Sequence, residues 1–187
     1  LNRLFRKSLS PQELIEKAWK SEFRFHGKSS GIDPTTIATE KAIHFLAPNN
    51  FSEIVFPENF KSQYIFILFD SLLRRSTQSV VQQNKAIQES NPDVRKKTIP
   101  ELQQLVLDAK NALEKNEIAK LGSCMNKAHL LLSEMGVSSE GLNKLQTQTL
   151  KSGALGAKLT GAGRGGFLLA LFDLNTWQSL KTRDNSK

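Results

Sequence analysis

The segment HGKSSGIDPTT, residues 26–36, places a carboxylate directly behind a serine–glycine turn. Asp33 can serve there in two ways. It can cap a helix that starts at Pro34, which is a purely structural role. It can instead face a bound hydroxyl group, as a base that takes the proton or as a group that orients it. In the second case Ser29, Ser30 and the glycine amide of the turn would line the same pocket.

A second carboxylate, Glu22, lies eleven residues before Asp33, about three helical turns earlier. A carboxylate at this distance from the turn is a candidate ligand for a cation. The alternative is a solvated position on the outer face of a helix, and the spacing by itself leaves both interpretations open.

The segment GALGAKLTGAGRGG, residues 153–166, is the other candidate for chemistry. Its glycines permit tight turns and a close approach of the backbone to a ligand. Consecutive N–H groups in such a loop can form a nest for an anion. The segment is not a Walker loop, because no Gly-Lys-Ser/Thr closes it, and no helical pattern follows it as in a dinucleotide fingerprint. A glycine-rich hairpin without a ligand is the alternative.

The elements that must position these segments begin with a helix. Ser10 and Glu13 form a capping box around Pro11, which predicts a helix from Pro11 to about Phe25. Alternating and continuous apolar runs then predict three strands. These are Ala42–Leu46 and Glu53–Phe56, joined by a turn at residues 48–50, and Tyr64–Phe69, expected to be the most buried of the three.

A helical period follows from residue 76 onward. It predicts four helices: one to about residue 91, one after Thr98 and Pro100, one over 117–134, and one from Ser138 or Ser139 to Gly153. The basic run Arg95–Lys97 is expected in a loop, and the polar end, residues 181–187, is expected to fray. Strands at Ala157–Thr160 and Phe167–Phe172 flank the glycine segment. The pattern predicts an α+β fold with helices covering one face of a mostly antiparallel sheet.

Composition narrows the choice of partners and compartment. The formal net charge is +8, but the basic residues are spread along the chain, which favours a solvated surface over a nucleic-acid interface. No apolar stretch reaches the 18 residues or more of a membrane span, and no secretory signal opens the sequence. A single cysteine, Cys124, cannot form an internal disulfide. We therefore expect a cytoplasmic protein without membrane or nucleic-acid partners.

The two candidate segments, taken in order, resemble the GHMP kinase superfamily and the mevalonate kinases within it. Two intervening segments match as well: FDSLLRRSTQSV, residues 69–80, and MNKAHLLLSEMGVSSEGLNKL, residues 125–145. The resemblance runs from Leu1 to about Asp173. It implies a GHMP C-terminal, ferredoxin-like domain over residues 61–187. Residues 1–60, with a helix, the Ser-Ser-Gly-Ile-Asp turn and two strands, would be a remnant of the N-terminal domain.

The resemblance implies transfer of the γ-phosphoryl group of ATP, with Mg²⁺, to the primary hydroxyl of mevalonate. Such a transfer depends on positioning and on neutralising charge. The roles it implies are Asp33 as catalytic residue, Glu22 as metal ligand, His26, Ser30 and Thr77 as substrate-binding residues, and Gly161, Ala162, Gly163, Gly165 and Gly166 as the phosphate-binding loop. Phosphomevalonate kinase, homoserine kinase and a non-catalytic stand-alone domain are the alternatives.

The sequence also departs from the family pattern. The family's Pro-x-x-x-Gly-Leu-Gly-Ser-Ser-Ala motif, which wraps the phosphates of ATP, does not occur in these 187 residues. We therefore expect negligible activity from this chain alone, and an N-terminal half or a second copy of the chain as partner. Arg164 stands where glycine is usual, which predicts crowding or an unfavourable φ. Ser29 stands where proline is typical, so the turn loses rigidity.

Overall fold

The computed structural model describes residues 9–26, 29–48, 50–73 and 77–184. The chain forms two compact units that divide between Val55 and Phe56. The first contains α1 (Pro11–His26), α2 (Ile32–Thr39), β1 (Ile43–Ala47) and β2 (Asn50–Glu53). The second contains α3 (Phe60–Gln63), β3 (Tyr64–Asp70), α4 (Thr77–Ser90), α5 (Pro92–Glu114), α6 (Ile118–Glu134), α7 (Glu140–Lys151), β4 (Gly156–Thr160), β5 (Phe167–Asp173) and α8 (Leu174–Asp184).

In the first unit, the predicted capping box starts α1. The Ser10 amide donates to Glu13 Oε2 at 2.9 Å, and the Glu13 amide donates back to Ser10 Oγ at 3.3 Å. Two orphan amides at the helix start are thereby satisfied, as the sequence predicted. Inside the unit, α1 buries Ile15.

The hairpin of the first unit is tighter than predicted. Ala47 pairs with Asn50 and Ile43 with Glu53, so the second strand is Asn50–Glu53 rather than Glu53–Phe56. The short connection sets the register, and every residue of β2 therefore pairs earlier than the apolar run suggested. Lys41 forms an ion pair with Glu53 beside the last of these strand pairs.

The second unit is α+β, as predicted, with an antiparallel sheet in the order β3–β5–β4. The prediction that the strand at residues 64–69 is the most buried one is wrong. That strand, β3, lies at an edge of its sheet, and its Leu68 is 59% exposed. The central strand is β5, in which Leu168 and Phe172 are fully buried. Local hydrophobicity does not reveal which apolar strand the fold places in the middle.

Two helical boundaries differ from the predictions. Because Pro92 occupies the first turn, α5 begins there, so Arg95–Lys97 are helical and not in a loop. Pro100 then lies inside this helix, at the cost of one hydrogen bond. The end of the chain is helical through Asp184, because Trp177 of α8 packs its ring 5.4 Å from that of Phe172. The expectation of a frayed end is therefore wrong for residues 181–184.

The remaining helices of the second unit start and stop close to the predicted positions. Ser139 caps α7 by accepting a hydrogen bond from the Leu142 amide. No helix in the described ranges is both long and apolar enough to cross a membrane. The assignment of residues 1–60 to a remnant of another domain stays a prediction.

Candidate functional site

The serine–glycine turn is tied to the end of α1 by short-range hydrogen bonds. The Ser29 hydroxyl donates to Glu22 Oε2 and accepts from the Gly31 amide at 3.1 Å. The Trp19 indole N–H donates to the Ser29 carbonyl at 3.0 Å. The hydroxyl of Ser29 therefore fixes the turn in place of the proline ring that is typical at this position. It also brings Glu22, one of the predicted site residues, next to the turn.

Gly31 is required by the geometry of this turn. Its φ is +83°, and a Cβ there would lie 2.6 Å from Cγ of Pro48. Its carbonyl accepts hydrogen bonds from both the amide and the hydroxyl of Thr35, at 3.1 and 2.7 Å. A side chain at position 31 would be strained and would clash at once.

Asp33 does not cap the helix, so the expectation of a purely structural capping role for this residue is wrong. The helix α2 begins at Ile32, with Gly31 at the cap position, so Asp33 lies inside the first turn. Its side chain is exposed, and no described residue donates a hydrogen bond to it. A carboxylate in a first helical turn is favoured by the helix dipole. Asp33 is thus ionisable, accessible and uncommitted within the described residues.

Ser30 and Glu22 each keep capacity for a ligand. The Ser30 side chain is exposed, and its hydroxyl accepts a long hydrogen bond of 3.4 Å from the Ile32 amide. Glu22 is half-buried, and its Oε1 has no partner among the described residues. One free carboxylate oxygen suits Mg²⁺, which binds few protein carboxylates and keeps several waters. No cluster of three or more acidic, histidine or cysteine ligands occurs in the described part of the chain.

The glycine loop, residues 161–166, makes the tight turns that its composition predicted, and its close backbone approaches are to other segments of the chain. Gly161, Gly163 and Gly166 have φ of +77°, +84° and +75°. A Cβ at Gly163 would lie 2.2 Å from the Val137 carbonyl oxygen, and one at Gly165 would lie 2.7 Å from that of Leu73. Glycine at 163 and 165 therefore permits contact with two segments far away in sequence.

Arg164 adopts φ of +55°, so the predicted unfavourable conformation is confirmed. Its side chain does not crowd the loop. The Arg164 amide donates to the Val137 carbonyl at 2.8 Å, and its Nη1 donates to the Gly136 carbonyl at 3.0 Å. Arg164 therefore fastens the loop to the connection between α6 and α7.

Two further contacts hold the loop at its ends. Asn84 of α4, which the sequence reasoning missed, donates from Nδ2 to the Ala162 carbonyl at 2.9 Å. The Gly166 carbonyl accepts from the Ser71 amide at 2.8 Å. With the Ala162 and Gly166 carbonyls and Arg164 engaged in this way, the loop leaves the amides of Ala162, Gly163 and Gly165 without an acceptor among the described residues. Such amides are the groups that an anion nest presents.

The strand that leads into the loop is also fixed by side chains. β4 lies at the edge of the sheet, where unpaired backbone groups need partners. The amide and carbonyl groups of Ala157 and Leu159, which point outward from this edge, all have a hydrogen-bond partner. The Ala157 amide donates to Asn126 Oδ1 at 2.9 Å and its carbonyl accepts from Gln146 at 3.1 Å; the Leu159 amide donates to His129 Nδ1 at 3.0 Å and its carbonyl accepts from Lys158 Nζ at 2.8 Å.

Asn126 and His129 lie in the segment 125–145, which resembles the GHMP kinases, and they have a structural role there. Residues three apart on a helix share a face, and both side chains reach the same strand edge. The sequence signalled this pair, but only the sheet order shows that its task is to close the edge of β4.

His129 is held in one tautomer. Because Nδ1 accepts from the Leu159 amide, Nε2 must carry the proton, which it donates to Asn143 Oδ1 at 3.0 Å. Burial lowers the pKa of His129; the Asn143 hydrogen bond opposes this, and the charge of Lys158 adds to the lowering. Burial also lowers the pKa of Lys158. Lys158 lies three residues before the glycine loop, and His129 is bonded to Leu159, two residues before it.

The predicted site residues are distributed over both units. Glu22, Ser30 and Asp33 lie in the first, and the glycine loop lies in the second. His26 is the last residue of α1 and Thr77 the first of α4, but their side chains lie outside the described part of the structure.

The family follows from a comparison with known proteins. A family model for the GHMP kinase C-terminal domain matches residues 109–183, which include β4, the glycine loop and β5. Residues 109–183 of this chain are therefore a GHMP kinase C-terminal domain. They belong to the second unit, whose helices and antiparallel sheet form the α+β arrangement of that domain.

Individual relatives match almost the whole chain. The mevalonate kinase of Thermococcus onnurineus is 34% identical over 176 residues, which are 91% of this chain and 51% of the relative. A galactokinase of Pyrococcus furiosus is 29% identical to this chain. The match covers 92% of this chain and 56% of the galactokinase. The crystal structure of L. major mevalonate kinase with R-mevalonate superimposes with a TM-score of 0.83 at 27% identity, over 100% of this chain and 57% of that one. The chain spans about half the length of these curated relatives.

Proposed function

We propose that this chain is the C-terminal part of a mevalonate kinase, which transfers the γ-phosphoryl group of ATP to the primary hydroxyl of mevalonate and forms 5-phosphomevalonate. The observation that carries the proposal is the glycine loop. It is fastened through its carbonyls and Arg164 to three distant segments, while three of its amides stay without acceptors in the described structure. The similarity to proteins named mevalonate kinase supports this choice of substrate.

Asp33 is the proposed catalytic residue. Its exposed carboxylate takes or aligns the proton of the substrate hydroxyl as that oxygen attacks the γ-phosphorus and ADP leaves. The free amides of the glycine loop stabilise negative charge on the phosphoryl oxygens. His26, Ser30 and Thr77 are proposed to line the mevalonate site.

Glu22 is the proposed protein ligand of Mg²⁺. The metal ion, when bound with ATP, supplies neutralisation of phosphate charge. The Ser29 hydroxyl holds one oxygen of the Glu22 carboxylate and leaves the other for the ion. Ser29 thereby orients the ligand in the way that outer hydrogen bonds orient metal-binding carboxylates.

Partners follow from the same proposal. ATP and mevalonate are the expected small-molecule ligands, and an N-terminal half that carries the ATP motif, or a second copy of the chain, is the expected protein partner. The spread of basic residues supports the absence of a nucleic-acid partner. The free, buried Cys124 is in keeping with a reducing, cytoplasmic location.

Substrate choice can be tested by nuclear magnetic resonance on the isotope-labelled chain. We expect R-mevalonate to shift the amide signals of Ser30 and Gly31 in a weak but saturable manner. Galactose is the competing ligand, because a galactokinase is among the relatives. Shifts caused by galactose and not by mevalonate would transfer the proposal to a sugar kinase. Titrations with phosphomevalonate and with homoserine test the two other kinase alternatives.

A further inference from the structure

Arg164 has a backbone conformation that glycine adopts readily and that is unfavourable for a long side chain such as arginine. Its φ is +55°, and two glycines of the same loop, Gly163 and Gly166, also have positive φ. A side chain in this left-handed region costs free energy that glycine avoids. Arginine at this point must therefore make contacts that offset the strain, or serve a purpose other than stability.

The contacts of Arg164 are directed at a single segment. Its amide and its guanidinium Nη1 reach two successive carbonyls, those of Val137 and Gly136, where the chain leaves α6. The guanidinium is planar and rigid, so a hydrogen bond from it fixes direction as well as distance. Its Nε is buried and has no partner in the described structure, which is unfavourable for stability.

Two of the three guanidinium nitrogens are not available to a bound anion. Nη1 is committed to the Gly136 carbonyl, and Nε is closed off from solvent. What Arg164 does control is the backbone on either side of it. The amides of Ala162, Gly163 and Gly165, which have no acceptor among the described residues, all lie within two positions of it.

We propose that Arg164 is a positioning residue, which clamps the glycine loop to the α6–α7 connection and so keeps the loop amides in an arrangement that binds a phosphate-type anion. This inference rests on the proposed function of the loop. It adds that the clamp replaces the conformational freedom of the usual glycine by a fixed, pre-formed nest. Binding then requires less ordering of the loop at the moment the anion arrives.

The test compares the wild-type chain with Arg164→Gly and Arg164→Lys. Glycine removes both the strain and the clamp, whereas lysine keeps the charge and can still reach the Gly136 carbonyl. Lys85→Gln, on the exposed face of α4, is the control for loss of one positive charge. Three quantities are measured on each: hydrogen exchange of the amides of residues 161–166, affinity for inorganic pyrophosphate, and the urea midpoint of unfolding.

We expect Arg164→Gly to keep a wild-type or higher urea midpoint, since the strain is relieved. We expect its loop amides to exchange about tenfold faster and its pyrophosphate affinity to fall about fivefold. Arg164→Lys should show loop exchange rates and a pyrophosphate affinity between those of the wild type and of Arg164→Gly. Across the variants, the affinity should fall as the loop amides become less protected. A merely structural role would lower the midpoint and leave the affinity of the folded protein unchanged.

The inference would be overturned by unchanged loop exchange in Arg164→Gly, by lost affinity with loop protection retained, or by no pyrophosphate binding to the wild-type chain. Loss of affinity in Lys85→Gln equal to that in Arg164→Gly would also overturn it, because net charge would then suffice. These outcomes are separate from the proposed substrate. If pyrophosphate binds and the clamp behaves as expected while mevalonate shifts no signal, the substrate proposal alone fails.

Discussion

The serine–glycine turn and the glycine loop are both built around glycines with positive φ, but they are held in different ways. The turn is fixed by hydrogen bonds between residues at most ten positions apart, from Trp19, Glu22 and Ser29. The loop is fixed by hydrogen bonds that span 28 and 78 positions, from Arg164 to Gly136 and from Asn84 to Ala162. The hydrogen bonds of the turn are therefore local, whereas those of the loop join it to distant parts of the second unit.

The turn and the loop also differ in the chemical role that is proposed for each. Asp33 at the turn is exposed and uncommitted within the described residues, as a group that must reach a substrate hydroxyl should be. Gly163 and Gly165 of the loop are buried against carbonyls of other segments. The proposed anion site thus lies on a loop that is packed against other segments. The proposed base lies on a turn that is held by local hydrogen bonds.

The largest effect is expected where the loop backbone touches a distant segment. Gly163→Ala should lower the free energy of unfolding by about 3 kcal/mol, because its Cβ would lie 2.2 Å from the Val137 oxygen in addition to the strain of a positive φ. Gly161→Ala is the matched control, with a similar φ and no atom within 4 Å of the new Cβ, and should cost about 1 kcal/mol. Equal losses in urea unfolding would contradict the close approach at Gly163.

The next effect tests the strand edge that leads into the loop. His129→Leu leaves the Leu159 amide without its acceptor and Asn143 Oδ1 without one of its donors, and should cost about 2–3 kcal/mol. Exchange of the Leu159 amide should rise with it. Leu130→Gln is the control on the same helix, because Leu130 is 57% exposed, and it should leave both quantities nearly unchanged.

The same histidine predicts a dependence of stability on pH. Since the pKa of His129 is lowered in the folded state, the unfolded chain binds the proton more readily. The contribution is fully present above the unfolded pKa, about 6.5, and is lost as the pH falls through the folded pKa. The groups that face the imidazole are Asn143 of α7 and the ammonium of Lys158 on β4.

Urea unfolding as a function of pH checks this expectation. The difference in unfolding free energy between wild type and His129→Leu should shrink on acidification from about pH 8 to about pH 5. A difference that stays constant over this range would show that His129 does not titrate with unfolding.

The smallest effect is expected at the turn. Ser29→Ala removes the hydroxyl that joins Glu22 to the Gly31 amide, and should cost about 1 kcal/mol, confined to residues 29–35 and measured by hydrogen exchange. Ser30→Ala removes only an exposed, long contact and should be close to neutral. A loss from Ser29→Ala as large as that from Gly163→Ala would erase the difference between the two regions.

The sequence was most informative where a few neighbouring residues decide the structure. The capping box of Ser10 and Glu13, and the tight turns at Gly31 and at the loop glycines, follow from backbone chemistry within a few positions. The likeness to GHMP kinases could be recognised from four segments in order. The roles assigned to Asp33, Glu22 and the loop residues remain predictions.

The sequence was least informative where contacts between distant segments determine the structure. β3 and β5 are both short apolar runs, and nothing within either run shows that β5 is central. Pro100 looked like a helix start, but α5 begins eight residues earlier, at Pro92, and continues through it. The partners of Arg164 and Asn84 lie 28 and 78 positions away, beyond the reach of any local pattern.

The central claim, that this chain supplies the catalytic carboxylate of a mevalonate kinase, is tested most directly by turnover. The chain is assayed for mevalonate-dependent ADP formation alone and joined to the N-terminal half of the Thermococcus onnurineus relative. Asp93→Asn is the matched control for Asp33→Asn, because both aspartates are exposed in a first helical turn. We predict negligible turnover alone, turnover in the joined protein, and a loss of about 100-fold or more in Asp33→Asn but not in Asp93→Asn. Equal activity of the two variants, or robust turnover by the chain alone, would contradict the account.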